Sequence, residues 1–189
     1  YLMGSATTID FFFFFSDDAI IKQLLKTEIL NNKNIDFKLN VSANKTRNLD
    51  SFTNIFLNLK IKEGLIDLDQ TKLSWKNHAN FVLADSLIYV KNGKLVLDAN
   101  SEIKLINLDE IYKYLVTPKN LRKKMNKMNI NFTYSFDEKT LYINDIKVDG
   151  IADENLLKNL NEINLKENSL QNKIYFKNFL NDAIKNYAG

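Results

Sequence analysis

From Ile35 onward, apolar and polar residues alternate with a period of two. Ile35, Phe37, Leu39 and Val41 point one way and Asp36, Lys38, Asn40 and Ser42 the other, the pattern of a strand with one buried and one wet face. Ile55, Leu57, Leu59 and Ile61 repeat it after a polar connection around Asn44 to Asp50, and Gly64 then turns the chain. Leu65 to Leu68, Lys72 to Trp75, Phe81 to Val90, Lys94 to Ile106, Ile130 to Phe136 and Leu141 to Val148 bring the total to about eight strands joined by short turns. Asn92-Gly93 lies between two of them without spare residues, and both tolerate the positive φ of a tight hairpin turn. Sequential neighbours are therefore expected to pair antiparallel.

Helical spacing frames this region. Ser16, Asp17 and Asp18 open an amphipathic helix carrying Ile20, Ile21, Leu24, Leu25 and Ile29, which Asn31-Asn32 ends. Before it, Tyr1 to Ile9 is expected to be poorly ordered, and the unalternating run Phe11 to Phe15 to be buried within the protein. Leu108 to Val116 reads as a helix capped by Asn107 or Asp109, and Lys119 to Met128 as another that starts at Pro118. Leu156, Leu157 and Leu160 mark a helix over Asp153 to Ile163; Phe176, Phe179, Leu180, Ala183, Ile184 and Tyr187 mark one over Tyr175 to Tyr187. The expected class is α+β in a single unit of residues 1–189. It has a mostly antiparallel, curled sheet over 34–149 with an open groove, a helix over 17–30 before it and helices over 153–187 after it.

With 45% hydrophobic and 26% charged residues, the 189-residue chain has the composition of an ordered protein, and 5 Gly and 1 Pro leave few residues for long linkers. The net charge of +3, spread over interleaved Lys, Arg, Asp and Glu, is too small to imply a nucleic-acid partner. Without Cys there is no disulfide, thiolate metal site or cysteine nucleophile, while the compartment stays open. No apolar run approaches the roughly 20 residues that span a bilayer. The chain starts at Tyr1, which raises the expectation of further sequence upstream.

Candidate chemistry is sparse. His78 is the only histidine, and Ser74 and Asp85 stand at offsets that set no triad geometry on strands, so it is expected to be a loop residue. Asp98, Asn100 and Glu102 alternate like a calcium loop, but Ile103 stands where the loop needs glycine. Asp145 and Asp149 read as turn residues, and no phosphate-binding glycine loop or nucleophile elbow is present. No catalytic residue, metal ligand or cofactor is expected. The basic group Lys119, Arg122, Lys123, Lys124 and Lys127 reads first as a solvated helix face. Of these, Arg122, Lys123, Lys124 and Lys127 are also candidates to meet anionic headgroups or an acidic partner. The stripe Ile130, Phe132, Tyr134 and Phe136 has neutral neighbours (Asn131, Thr133, Ser135), which favours a core or lipid-facing surface over a base-stacking platform.

One stretch has a more particular likeness. Leu87 to Tyr89, Asn92-Gly93-Lys94-Leu95-Val96-Leu97, Ile103 to Leu105 and Leu108-Asp109-Glu110-Ile111-Tyr112 give strand, Asn-Gly turn, strand, extended segment and helical turn in that order. Over Phe52 to Gly150 this resembles the C-terminal region of the AsmA-like proteins of Gram-negative envelopes, which are similar to the eukaryotic chorein-type bridge proteins. The resemblance implies a long curled antiparallel sheet with an apolar concave side, and a non-catalytic role in moving phospholipid between membranes and in outer-membrane homeostasis. It further implies a periplasmic protein held at the inner membrane by a segment outside this chain, with phospholipid and envelope membranes or membrane proteins as partners. The lipid-lining residues would be Ile55, Leu57, Leu59, Ile61, Ile130, Phe132, Tyr134 and Phe136. The Lys-rich segment departs from what such a groove should contain. The alternative is a structural or protein-interaction module whose sheet is fully covered by its helices.

Overall fold

A computed structural model describes residues 1–10, 30, 32–47, 52–162, 178, 181–183, 185 and 187. Its strands are β1 (Leu2–Ile9), β2 (Asp36–Thr46), β3 (Phe52–Lys62), β4 (Leu65–Asp67), β5 (Lys72–Trp75), β6 (Ala79–Lys91), β7 (Lys94–Leu105), β8 (Lys127–Ser135), β9 (Thr140–Val148) and β10 (Ile151–Ala152). Among the described residues, α1 (Leu108–Leu115) and α2 (Glu154–Glu162) are the unbroken α-helices that accompany them. The described strands form one sheet in the order β1-β2-β3-β4-β6-β7-β8-β9-β10, with β5 beside β3 and β6. All pairings are antiparallel except β1 with β2.

Turn chemistry sets the register. Glu63-Gly64, Asn92-Gly93 and Asp149-Gly150 each join paired strands through two residues of positive φ, the geometry that matches strand twist. Between β3 and β6, the short β4 and β5 share one strand position, so sequential pairing fails there. The break between them is held by polar groups. Asn58 receives the Thr71 hydroxyl on its carbonyl (3.2 Å) and donates its side-chain amide to the Asp69 carbonyl (2.5 Å), while Asp69 accepts from the Ser86 N–H (2.6 Å). Asp85, at φ 48, supplies the matching bulge in β6.

Two expectations are corrected. Tyr1 to Ile9 is not loose: Leu2–Ile9 forms a parallel edge strand on β2, exposed along nearly its whole length. The chain from Lys119 to Met128 is not an α-helix. It makes one 3₁₀ turn, Lys119–Leu121, and then runs extended into β8. The carboxylate of Asp149 accepts from the N–H groups of Asn126 (2.9 Å) and Lys127 (2.8 Å), and Leu105 donates its N–H to the Asn126 carbonyl (2.8 Å). These bonds use backbone groups that a helix would need for itself. The helix expected over 17–30 lies outside the described residues except for Leu30. Of the one expected over Tyr175 to Tyr187, residues 178, 181–183, 185 and 187 are described and helical.

Alternation gives the sheet two unlike faces. On one, Phe37, Ile61, Ile66, Ile88, Leu97, Tyr134 and Leu141 stand opposite one another in register, an apolar row crossing seven strands. The other face is a polar ladder. Asp98 accepts from the hydroxyls of Tyr89 (2.5 Å) and Thr133 (2.6 Å), and Asn131 donates to Asn100 (2.7 Å). Asn144, the extra residue of a bulge in β9, donates to Asn131 and Thr133 (both 2.9 Å). The hydrogen bond to Asp98 is the main reason that the Tyr89 phenol is pushed above its ordinary pKa.

Candidate functional site

The eight residues proposed to line a groove lie on the apolar face, but not in one place. Leu57, Leu59, Ile61, Tyr134 and Phe136 share a core with Leu30, Ile66, Ile88 and Leu97, and Phe132 packs against it. Ile130 belongs to a second core with Met125, Ile146 and Leu156. Ile55, Leu57, Leu59, Ile61, Tyr134 and Phe136 are at most 8% exposed, whereas Ile130 and Phe132 are half-buried. Most of the expected lining is thus packed as interior, with Tyr134 meeting Phe136 edge-on at 5.1 Å.

Space remains at the other end of the same face. The Asn107 side chain caps α1 by accepting from the Glu110 N–H (3.2 Å), which starts the helix so that Leu108, Ile111 and Leu115 face the sheet. Opposite them stand Phe81, Ile103, Met128, Ile130 and Val148; Met125, Leu156, Ala183 and Tyr187 complete the wall, with Trp75 at one side. The resulting cavity measures about 120 Å³ and has an almost wholly apolar lining. The sequence shows the helix over Leu108 to Val116 but not the gap beneath it, whose wall the spacing of Leu108, Ile111 and Leu115 along one helix face signals.

The basic residues divide. Lys127 pairs with Glu102 (2.9 Å) on the polar side, and Lys124 is exposed. Arg122 and Lys123 lie beside the cavity's wall. The Arg122 guanidinium stacks 5.8 Å from the centre of the Tyr112 ring, with Nε donating to the Thr117 carbonyl (3.0 Å). Lys123 Nζ sits 4.9 Å from the centre of the Tyr187 ring and donates to the Tyr187 carbonyl (2.6 Å). The Tyr112 hydroxyl in turn donates to the Lys123 carbonyl. Burial pushes both phenols above their ordinary pKa and keeps them neutral.

His78 is a turn residue, as expected, but a buried one. Its ring lies edge-on to Trp75 at 5.2 Å with Nδ1 unpartnered, and its carbonyl accepts from the N–H groups of Ile106 (2.7 Å) and Asn107 (3.1 Å), which fixes the entry into α1. Asp149 is a turn residue, while Asp145 lies within β9 and pairs with Lys147 (3.3 Å). Among the described residues no group of three His, Cys, Asp or Glu could hold a metal ion, and no helix is long and apolar enough to cross a membrane. No protein-family model matches the chain, and neither a curated protein nor a solved structure matches it.

Proposed function

We propose that this chain is a non-catalytic binding segment that shelters acyl chains of phospholipid against the apolar face of its sheet. The observation that carries the reading is the cavity under α1 and α2. A protein interior is ordinarily packed to crystal density, and an unfilled apolar void forfeits contacts and costs stability. A void of about 120 Å³ at the end of a continuous apolar face is where a foreign hydrocarbon gains most. Each methylene brought out of water contributes about 0.8 kcal/mol. With the AsmA-like pattern of Phe52 to Gly150, this supports a periplasmic, inner-membrane-anchored part of a path for lipid between membranes, serving outer-membrane homeostasis.

Nine strand positions about 4.8 Å apart extend about 40 Å. On this reading that length holds a lipid without bridging two membranes, and the remaining path comes from further sheet or from partner proteins.

One observation favours the alternative of a structural or protein-interaction module: six of the eight proposed lining residues are already interior. Lipid extraction and mass spectrometry of natively purified protein separate the two. The binding reading expects stoichiometric phospholipid, reduced more than folded yield in Ile130→Asp at the cavity wall. Lipid-free protein, or loss of lipid only in step with loss of fold, favours the covered module.

A further inference from the structure

The cavity and the two cations beside it belong to one arrangement. Lys123 stands over the ring of Tyr187, which lines the cavity, and Arg122 over the ring of Tyr112, which packs in the same core as Met125 and Leu156. Several lysines have carboxylate partners: Lys94 has Glu138, Lys113 has Glu110, Lys127 has Glu102 and Lys147 has Asp145. Among the described residues Arg122 and Lys123 have none. Arg122 commits Nε to Thr117, which leaves the terminal nitrogens of its fork, and such a fork matches a planar or tetrahedral oxyanion. The two acids that act on the Tyr187 phenol are already engaged. Asp149 holds the N–H groups of Asn126 and Lys127, and Asp153 accepts from the Leu156 N–H (2.8 Å).

Size decides the rest. An apolar cavity of roughly 150 Å³ takes a benzene-sized guest, so about 120 Å³ fits the end of one hydrocarbon chain. We infer that this cavity binds a single-chain amphiphile with an anionic head, its chain end under α1 and its head on Arg122 and Lys123. The inference rests on the proposed acyl-chain binding and adds a chain number and a head charge to it. A free fatty acid and a lysophospholipid both supply this chemistry.

Trp75 is the only tryptophan and lines the cavity, so its emission reports occupancy directly. The experiment titrates wild type with decanoate, decyl phosphate and decanol below their micelle concentrations. Both anions are expected to bind at least about tenfold more tightly than decanol, and the tighter of the two identifies the source. Shorter homologues should lose about fourfold per methylene until the chain no longer reaches the cavity. The double variant Arg122→Gln/Lys123→Gln should lose the preference for anions while keeping its affinity for decanol, which also serves as its folding control. Ala183→Leu should weaken all three probes.

Equal affinity for decanol and decanoate would overturn the assignment of the head. No response of Trp75 to any probe, in protein that still carries diacyl phospholipid, would overturn the cavity site and leave the broader lipid reading standing. No response in protein that is also lipid-free would end both.

Discussion

Asn161 pairs with the backbone of Ile143 as a neighbouring strand would: its Oδ1 accepts from the Ile143 N–H at 3.1 Å and its Nδ2 donates to the Ile143 carbonyl at 2.8 Å. One side chain of α2 thereby closes part of the β9 edge, where β10 contributes only Ile151–Ala152. Both bonds involve partly buried groups, so Asn161→Ala should cost about 1–3 kcal/mol. A urea midpoint within error of wild type would show that water replaces the amide without loss.

Val116 ends α1 at φ 60, ψ 37, a left-handed conformation that a β-branched residue adopts at a cost, and its side chain is 71% exposed. Replacement by glycine removes the strain and almost no packing. Val116→Gly should therefore stabilise the protein by about 1 kcal/mol, net of the glycine's greater unfolded-state freedom. A lower thermal midpoint for the variant would contradict the geometry of this helix end.

Gly93 sits at φ 77 with open space around the position of a Cβ. Its substitution tests conformation alone. Gly93→Val should cost about 1–2 kcal/mol and Gly93→Asn markedly less, since asparagine tolerates the left-handed region. Equal costs for the two variants, measured by chemical denaturation, would argue against this turn. At Gly64 the effect should be larger, because an added Cβ also meets the Leu30 carbonyl.

In the β8–β9 turn, Glu138 accepts from Lys94 Nζ (2.8 Å) and from the Tyr142 hydroxyl (3.1 Å). Both bonds, the Lys94 one foremost, hold its carboxyl below the ordinary glutamate pKa. A depressed carboxyl contributes stability above its unfolded pKa and loses it as the pH falls through the folded value, so this contribution disappears on the acid side. The Lys94 ammonium, raised by the same contact, contributes throughout the neutral range and loses its part only at high pH. Carbon-detected NMR should give Glu138 a midpoint below that of free glutamate, returning toward it in Lys94→Gln. An unshifted wild-type midpoint would mean the pair is open in solution.

Most of the sheet was legible because one face is wet and the other dry, so Ile55 to Ile61 and Ile130 to Phe136 carry their register in their alternation. The Asn92-Gly93 turn was legible because few dipeptides accept positive φ twice. The segment β1 was not: Leu-Met-Gly-Ser-Ala-Thr-Thr-Ile has no alternation, and its strand form depends on the β2 edge. Lys119 to Met128 reads as a helix because Pro118 suits a first turn, but past the 3₁₀ turn the backbone bonds to Asp149 and Leu105 hold the chain extended. The cavity was the least legible feature. It depends on how far α1 and α2 stand from the sheet, and no local pattern encodes that distance.

Entry of hydrocarbon under α1 can be observed in methyl-labelled protein. With protonated decanoate and methyl-labelled Ile, Leu and Met, intermolecular NOEs from the chain methylenes should reach Ile111, Met128 and Ile130. They should be absent from Leu95 and Ile66 in the packed core. NOEs confined to exposed methyls such as Leu2 or Ile151, or none at saturating ligand, would contradict it.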